Sequence, residues 1–108
     1  MEKFEKIDLR SLALAQAVDT DYPLADLSKA SLLLLNQRPQ HYPKEQHAVA
    51  ERIVVIEGSI SIVCEDGRQL DALAGEMIVI PAGLAHAYGE QSNGAVLVVF
   101  GASSAGDL

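Results

Sequence analysis

Short β-rich runs separated by turn signals constrain the fold of this chain more than any other feature. Runs rich in Val, Ile and Leu recur about every eight to twelve residues, with Gly, Pro or Asp between them. This spacing predicts an all-β sandwich, jelly roll or barrel, because a closed sheet hides edges that would otherwise aggregate. The predicted strands are Leu32–Gln37, Val49–Glu57, Ser59–Glu65, Arg68–Leu73, Met77–Pro81, His86–Glu90 and Ala95–Gly101.

The rest of the chain is predicted to flank one barrel. With 108 residues the chain fits a single domain. Only Ser11–Val18 has a helical pattern, with Ser11 as a plausible N-cap. We therefore expect an N-terminal extension over residues 1–30, a barrel over residues 31–102 and a flexible tail over residues 103–108.

Charge and composition exclude several classes of function. Eight Lys and Arg against fifteen Asp and Glu give a net charge of −7, so neither nucleic acid nor an anionic membrane surface is an expected partner. The apolar runs are far shorter than the roughly 20 residues of a membrane span, and we find no signal peptide. The single cysteine, Cys64, suits a cytoplasmic protein and is predicted to be an inert buried thiol beside Ile60 and Ile62.

In two segments, His, Glu, Gly and Pro residues stand at intervals that are typical of a sequence motif. In the first, His47 and Glu51 are followed by six residues and then Gly58. In the second, Gly75 is followed by Pro81, Gly83 and His86 in the pattern Gly-x5-Pro-x-Gly-x2-His. From the frequencies of these residues in the chain, the second pattern would arise by chance about once in two thousand such sequences.

Both segments resemble the two sequence motifs of the cupin superfamily. The first departs from its pattern, because the leading Gly of the family falls at Pro39 and its first His at Glu45; the Asn that often closes the second falls at Glu90. The resemblance implies a small RmlC-like cupin: a double-stranded β-helix, or jelly roll, with a pocket inside the barrel. It also implies that the chain forms a homodimer.

Alternation along the first motif places its polar residues on the face that packs inward. Glu45, His47, Val49 and Glu51 lie two residues apart and continue into Ile53 and Val55. Buried polar groups need partners, and a divalent metal is one such partner. His47, Glu51 and His86 form a set of two His and one carboxylate that suits Mn, Fe, Ni, Co or Zn. The turn at Pro81–Gly83 would deliver His86 from the neighbouring strand.

Glu45 makes the predicted site less positive than one built from three His and one Glu. Two carboxylates and two neutral imidazoles cancel the charge of a divalent ion, which favours hard cations such as Mn or Fe(II). Glu45 is either a fourth ligand or a proton-transfer group. His41 is expected in solvent, although it could substitute as a ligand, and Tyr88 could line the pocket or simply pack in the core.

The function that the residues and the resemblance favour is a cupin that binds a divalent metal and a small molecule, as an oxygenase or an isomerase. Fold alone does not identify the reaction. Two other classes stay open: a non-catalytic small-molecule-binding or sensory module, and a structural homodimer without metal.

Overall fold

The computed structural model describes residues 3–101, and the predicted tail at 103–108 lies outside them. Within this range the chain forms seven antiparallel strands and one short helix, so the all-β prediction is confirmed. In chain order the elements are α1 (Leu9–Leu14), β1 (Tyr22–Asp26), β2 (Ala30–Gln37), β3 (Ala50–Cys64), β4 (Gln69–Leu73), β5 (Met77–Ile80), β6 (His86–Tyr88) and β7 (Asn93–Gly101).

Strand β3 organises the sheet because it pairs with four other strands. The main path runs β1-β2-β7-β3-β4, and β5 and β6 also pair with β3. The first half of β3 lies between β7 and β5, and its last residues lie between β4 and β6. Strand β3 therefore carries Glu51 of the first motif and pairs with β5 and β6, the two strands of the second motif.

The two predicted strands on either side of Gly58 are one continuous strand, so the predicted turn at Glu57-Gly58 is wrong. Gly58 has a φ of 88°, and the register with β7 shifts between Val55 and Glu57. A Cβ on Gly58 would lie 2.0 Å from the backbone oxygen of Asn93. Glycine at this position therefore permits an irregularity and a close backbone approach within the strand instead of a hairpin.

The helix and the first strand also differ from the sequence prediction. The helix spans Leu9–Leu14 rather than Ser11–Val18, and its N-cap is Asp8, whose carboxylate accepts a hydrogen bond from the Ser11 backbone N–H at 3.1 Å. Asp8, and not Ser11, caps the helix because it immediately precedes the first helical residue, where its carboxylate reaches a backbone N–H that has no partner within the helix. Strand β1 lies inside the predicted extension and pairs with β2, so the sheet begins before residue 31.

The part of the sheet around β2 and β7 is covered on both faces. The larger core lies on the inner face and includes Ile53, Val55 and Val98, while α1 packs over Leu34 and Ala95 on the outer face. This two-sided burial explains the uninterrupted leucine run in β2. Within residues 3–101, the structure contains no helix of sufficient length and apolar character to cross a membrane.

Candidate metal centre

Backbone hydrogen bonds join the two motifs directly. The N–H of Glu45 donates to the carbonyl of His86 at 2.7 Å, and the N–H of His86 donates to the carbonyl of Glu45 at 2.9 Å. The N–H of Gly83 donates to the His47 carbonyl at 2.8 Å, and Gly83 has a φ of 82°. The turn from Pro81 to Gly83 therefore places His86 against the first motif, as the sequence predicts.

The four side chains predicted as ligands meet at one place. Glu51 Oε1 lies 2.9 Å from His86 Nε2 and 3.5 Å from His47 Nε2. Glu45, His47 and His86 each offer a ligand atom, and these three atoms lie within 4.8 Å of one another. This His and Glu group could hold a metal ion.

His86 is fixed in an orientation that suits ligation. Its side chain is 1% exposed, and its Nδ1 lies 2.8 Å from the Leu84 carbonyl oxygen. Because a carbonyl only accepts, Nδ1 carries the proton and donates it. Nε2 is thereby directed at the cluster, and a backbone carbonyl behind a histidine ligand is a common outer partner in metal sites.

His47 supplies the test of whether a metal fits. Its Nε2 is buried and makes no hydrogen bond with any of residues 3–101, although it lies 3.5 Å from the Glu51 carboxylate. The ring is held edge-on against Phe100, with 4.8 Å between the ring centroids. A buried nitrogen without a hydrogen bond, beside two carboxylates and a second imidazole, is the donor set that a divalent cation satisfies. The residues present therefore fit the metal.

Protons compete for the same groups. Burial raises the pKa of Glu45, and the negative charge of Glu51 raises it further. Burial alone would lower the pKa of His86, but its hydrogen bonds with Glu51 and Leu84 and the nearby carboxylates together raise it. Without a metal, Glu45 and His86 therefore hold protons more tightly than they would in water.

We expect the metal-free protein to lose stability as pH rises. A pKa raised by folding stabilises the protein below the unfolded value, and that contribution disappears as pH passes the folded value. The loss begins above 4.5 for Glu45 and continues above 6.5 for His86. Thermal unfolding of metal-free protein from about pH 5 to about pH 9 measures this. A melting temperature that rises across this range would contradict the assignment.

A cavity of about 390 Å³ opens beside the cluster. Tyr88 lines it and is 5% exposed. The pKa of its phenol is raised, first by burial and then by the charges of Glu51 and Glu45. The lining residues are Asp19, Asp21, Ser31, Leu33, Leu35, Glu45, His47, Glu51, Tyr88, Val98 and Phe100.

Asp19 and Asp21 are the two charged residues of the lining that the sequence does not predict. They lie in the predicted extension, outside both motifs, and no spacing relates them to the site. They reach it because Val18 forms a bridge with Asn36 and the following strand pairs with β2. Only that long-range pairing could have revealed them.

Three other predictions have clear outcomes. His41 is exposed, pairs with Glu90 at 3.1 Å and does not belong to the group that could hold a metal, so the prediction of solvent exposure is confirmed. Cys64 is only partly buried, because β3 ends there and the inward alternation ends with it. Val49 is 37% exposed, so it does not share the inward face with Glu51; the regular strand begins only at Ala50.

Comparison with known families identifies the fold family. The family model described as "Cupin domain" matches residues 35–100, which is more than half of the chain, and the chain therefore belongs to the cupin family. No curated protein matches the sequence significantly.

Solved structures with the same fold share little sequence. A conserved protein of unknown function from Streptococcus pyogenes has a TM-score of 0.78 at 17% identity, over 97% of this chain and 93% of that one. A cupin-2 domain protein from Shewanella frigidimarina has a TM-score of 0.71 at 22% identity, over 82% of this chain and 86% of that one. Hydroquinone 1,2-dioxygenase from Sphingomonas has a TM-score of 0.71 at 12% identity, over 85% of this chain and 71% of that one. At these identities the likeness supports the fold alone.

Proposed function

We propose that this cupin domain binds a divalent metal ion through His47, Glu51, His86 and Glu45, and a small molecule in the adjoining cavity. The observation that carries the proposal is the buried His47 Nε2, which makes no hydrogen bond and faces the other three groups. A cation would satisfy this nitrogen and relieve the repulsion between the two carboxylates.

The chain's own residues define what such a site can do. A bound divalent ion would polarise an oxygen of the small molecule, which is chemistry that oxygenases and isomerases both use. Leu84 holds the His86 ring in place, and Phe100 holds the His47 ring. Glu45 is half-buried with a raised pKa, so beside the cavity it holds a proton more readily than a solvated Glu does. These features support either of the two reaction classes.

Replacement of Glu45 by Gln tests its place among the ligands. If Glu45 is a ligand, we expect Glu45→Gln to lower the affinity for Mn about tenfold or more, because a charged oxygen donor is lost. The pH dependence of binding should also become flatter, since one competing proton disappears. Titration of the metal-free protein with Mn at several pH values, followed by calorimetry, measures both effects.

The matched control is Glu90→Gln, which removes an equal charge from an exposed position outside the cavity lining. It should leave the Mn titration unchanged. If Glu45→Gln also leaves it unchanged, Glu45 is a rim residue and the site has three ligands.

A second candidate function is a metal-free small-molecule-binding module. One observation favours it: His86 Nε2 and Glu51 Oε1 already lie within hydrogen-bond distance, so two of the four groups are paired without an ion. This candidate predicts that a ligand raises the melting temperature equally with and without metal.

The homodimer stays a prediction. Strands β4 and β5 expose the side chains of Leu70, Leu73 and Val79, which are 59%, 61% and 46% exposed. A second copy of the chain would bury such apolar surface, which supports the expectation drawn from the family resemblance.

A further inference from the structure

We propose that the cavity beside the metal centre selects small organic cations, meaning molecules with one ammonium group on an apolar body, and that Asp19 and Asp21 set this preference. The inference extends the proposed function because it concerns the same cavity. It does not require the metal, because the charges that carry it lie partly outside the ligand group.

The charge of the lining is one-sided. Asp19, Asp21, Glu45 and Glu51 all line the cavity, whereas its lining includes no Lys or Arg from residues 3–101. A divalent ion held by Glu45, Glu51 and two neutral His would cancel the inner pair of carboxylates. The two aspartates remain, so the cavity is negative with or without the ion. An anionic ligand would meet repulsion there, and a cation would meet attraction.

Asp19 is held in position rather than free on the surface. Its N–H donates to the Asn36 carbonyl at 3.0 Å, and its Oδ1 accepts a hydrogen bond from Gln37 Nε2 at 3.0 Å. Gln37 is fully buried. Asp19 is also one of the residues that line the cavity. The Asp19 carboxylate is therefore held in one position, from which it contributes a negative electrostatic potential to the cavity.

Tyr88 gives an independent sign that the cavity takes a ligand. Its hydroxyl is buried in the lining and has no hydrogen-bond partner among residues 3–101. A buried hydroxyl costs free energy when nothing satisfies it, so this oxygen points to a ligand in the cavity.

The free Tyr88 hydroxyl can exchange a hydrogen bond with an occupant of the cavity. An ammonium group can donate to its oxygen, and the positive charge of that group matches the carboxylates of the lining. Leu33, Leu35, Val98 and Phe100 form an apolar wall for the rest of the molecule. Charge, hydrogen bonding and the apolar wall therefore favour the same class of ligand.

Three probes of similar shape and different charge test the proposal: benzylamine, benzyl alcohol and benzoate. Binding to the full-length, metal-free protein is measured by NMR titration at low salt. We expect benzylamine to bind at least about tenfold more tightly than benzoate, with benzyl alcohol between them. In the double variant Asp19→Asn and Asp21→Asn, this ratio should fall about tenfold. Asparagine retains an oxygen that can accept from Gln37, so the fold should be preserved.

The matched control is the double variant Asp26→Asn and Asp71→Asn, which changes the net charge equally at exposed positions outside the lining. It should keep the wild-type ratio. Equal binding of benzoate and benzylamine, an unchanged ratio in the Asp19 and Asp21 variant, or no binding of benzylamine at millimolar concentration would each overturn the proposal. A Mn titration of the same sample separates the two claims, because a protein that prefers benzylamine but binds no Mn refutes only the metal centre.

Discussion

Replacing His86 by alanine is expected to weaken both the metal centre and the fold. Glu51 is 2% exposed and has His86 Nε2 at 2.9 Å, so the variant leaves a buried carboxylate without this partner. Removing one member of a buried pair costs about 3 kcal/mol, and the free energy of unfolding of the metal-free protein should fall by about that amount. Urea denaturation of metal-free protein measures this loss.

The affinity of the same variant for Mn should fall at least about 100-fold, because a ligand is lost together with the orientation of its neighbour. His41→Ala is the matched control, since it removes an imidazole that is 84% exposed. It should change neither quantity. A His86→Ala protein that keeps wild-type stability would show that Glu51 has another partner, and one that keeps wild-type Mn affinity would remove His86 from the site.

Replacing His47 by alanine is expected to separate the two effects. His47 is 29% exposed and its Nε2 makes no hydrogen bond, so the metal-free fold depends on it little. Loss of its contact with Phe100 should cost about 1 kcal/mol. The affinity for Mn should nevertheless fall about 100-fold, because a ligand nitrogen is lost from the site.

The comparison of the two histidine variants is therefore more informative than either alone. Both should lose Mn binding, but only His86→Ala should lose several kcal/mol of stability in the absence of metal. If His47→Ala binds Mn normally, the ion lies elsewhere or the cluster holds none. If His47→Ala loses as much stability as His86→Ala, then His47 has a structural role that its missing hydrogen bond does not show.

Local sequence pattern was enough to predict much of the fold. Apart from β1 and the break at Gly58, the strands begin and end within two residues of their predicted bounds, because alternation and turn residues are local signals. Gly58 was misread for a physical reason: glycine serves both hairpins and close backbone contacts, and only the opposing Asn93 distinguishes them. Strand β1 was missed because Tyr22–Asp26 is short, contains Pro23 and is defined by its pairing with β2.

The candidate site shows the same division. Glu45, His47, Glu51 and His86 were found from motif spacing and alternation, and the structure brings them together. The sequence could not predict which hydrogen-bond partner each of these polar side chains has. The Leu84 carbonyl behind His86 and the hydrogen bond from Gln37 to Asp19 depend on loop geometry and on pairing across the sheet. Sequence alone predicts that His86→Ala loses metal and stays folded, whereas the structure adds a cost in stability.

The most direct test of the central claim is the metal content of the native protein, prepared without chelators and without a metal-affinity column. Elemental analysis should find one divalent ion per chain, and dialysis against a chelator should remove it and lower the melting temperature. Preparations of His47→Ala and His86→Ala should contain almost none. Native protein that contains no divalent ion, and that takes up none when titrated with Mn, Fe(II), Ni, Co or Zn, would contradict the account.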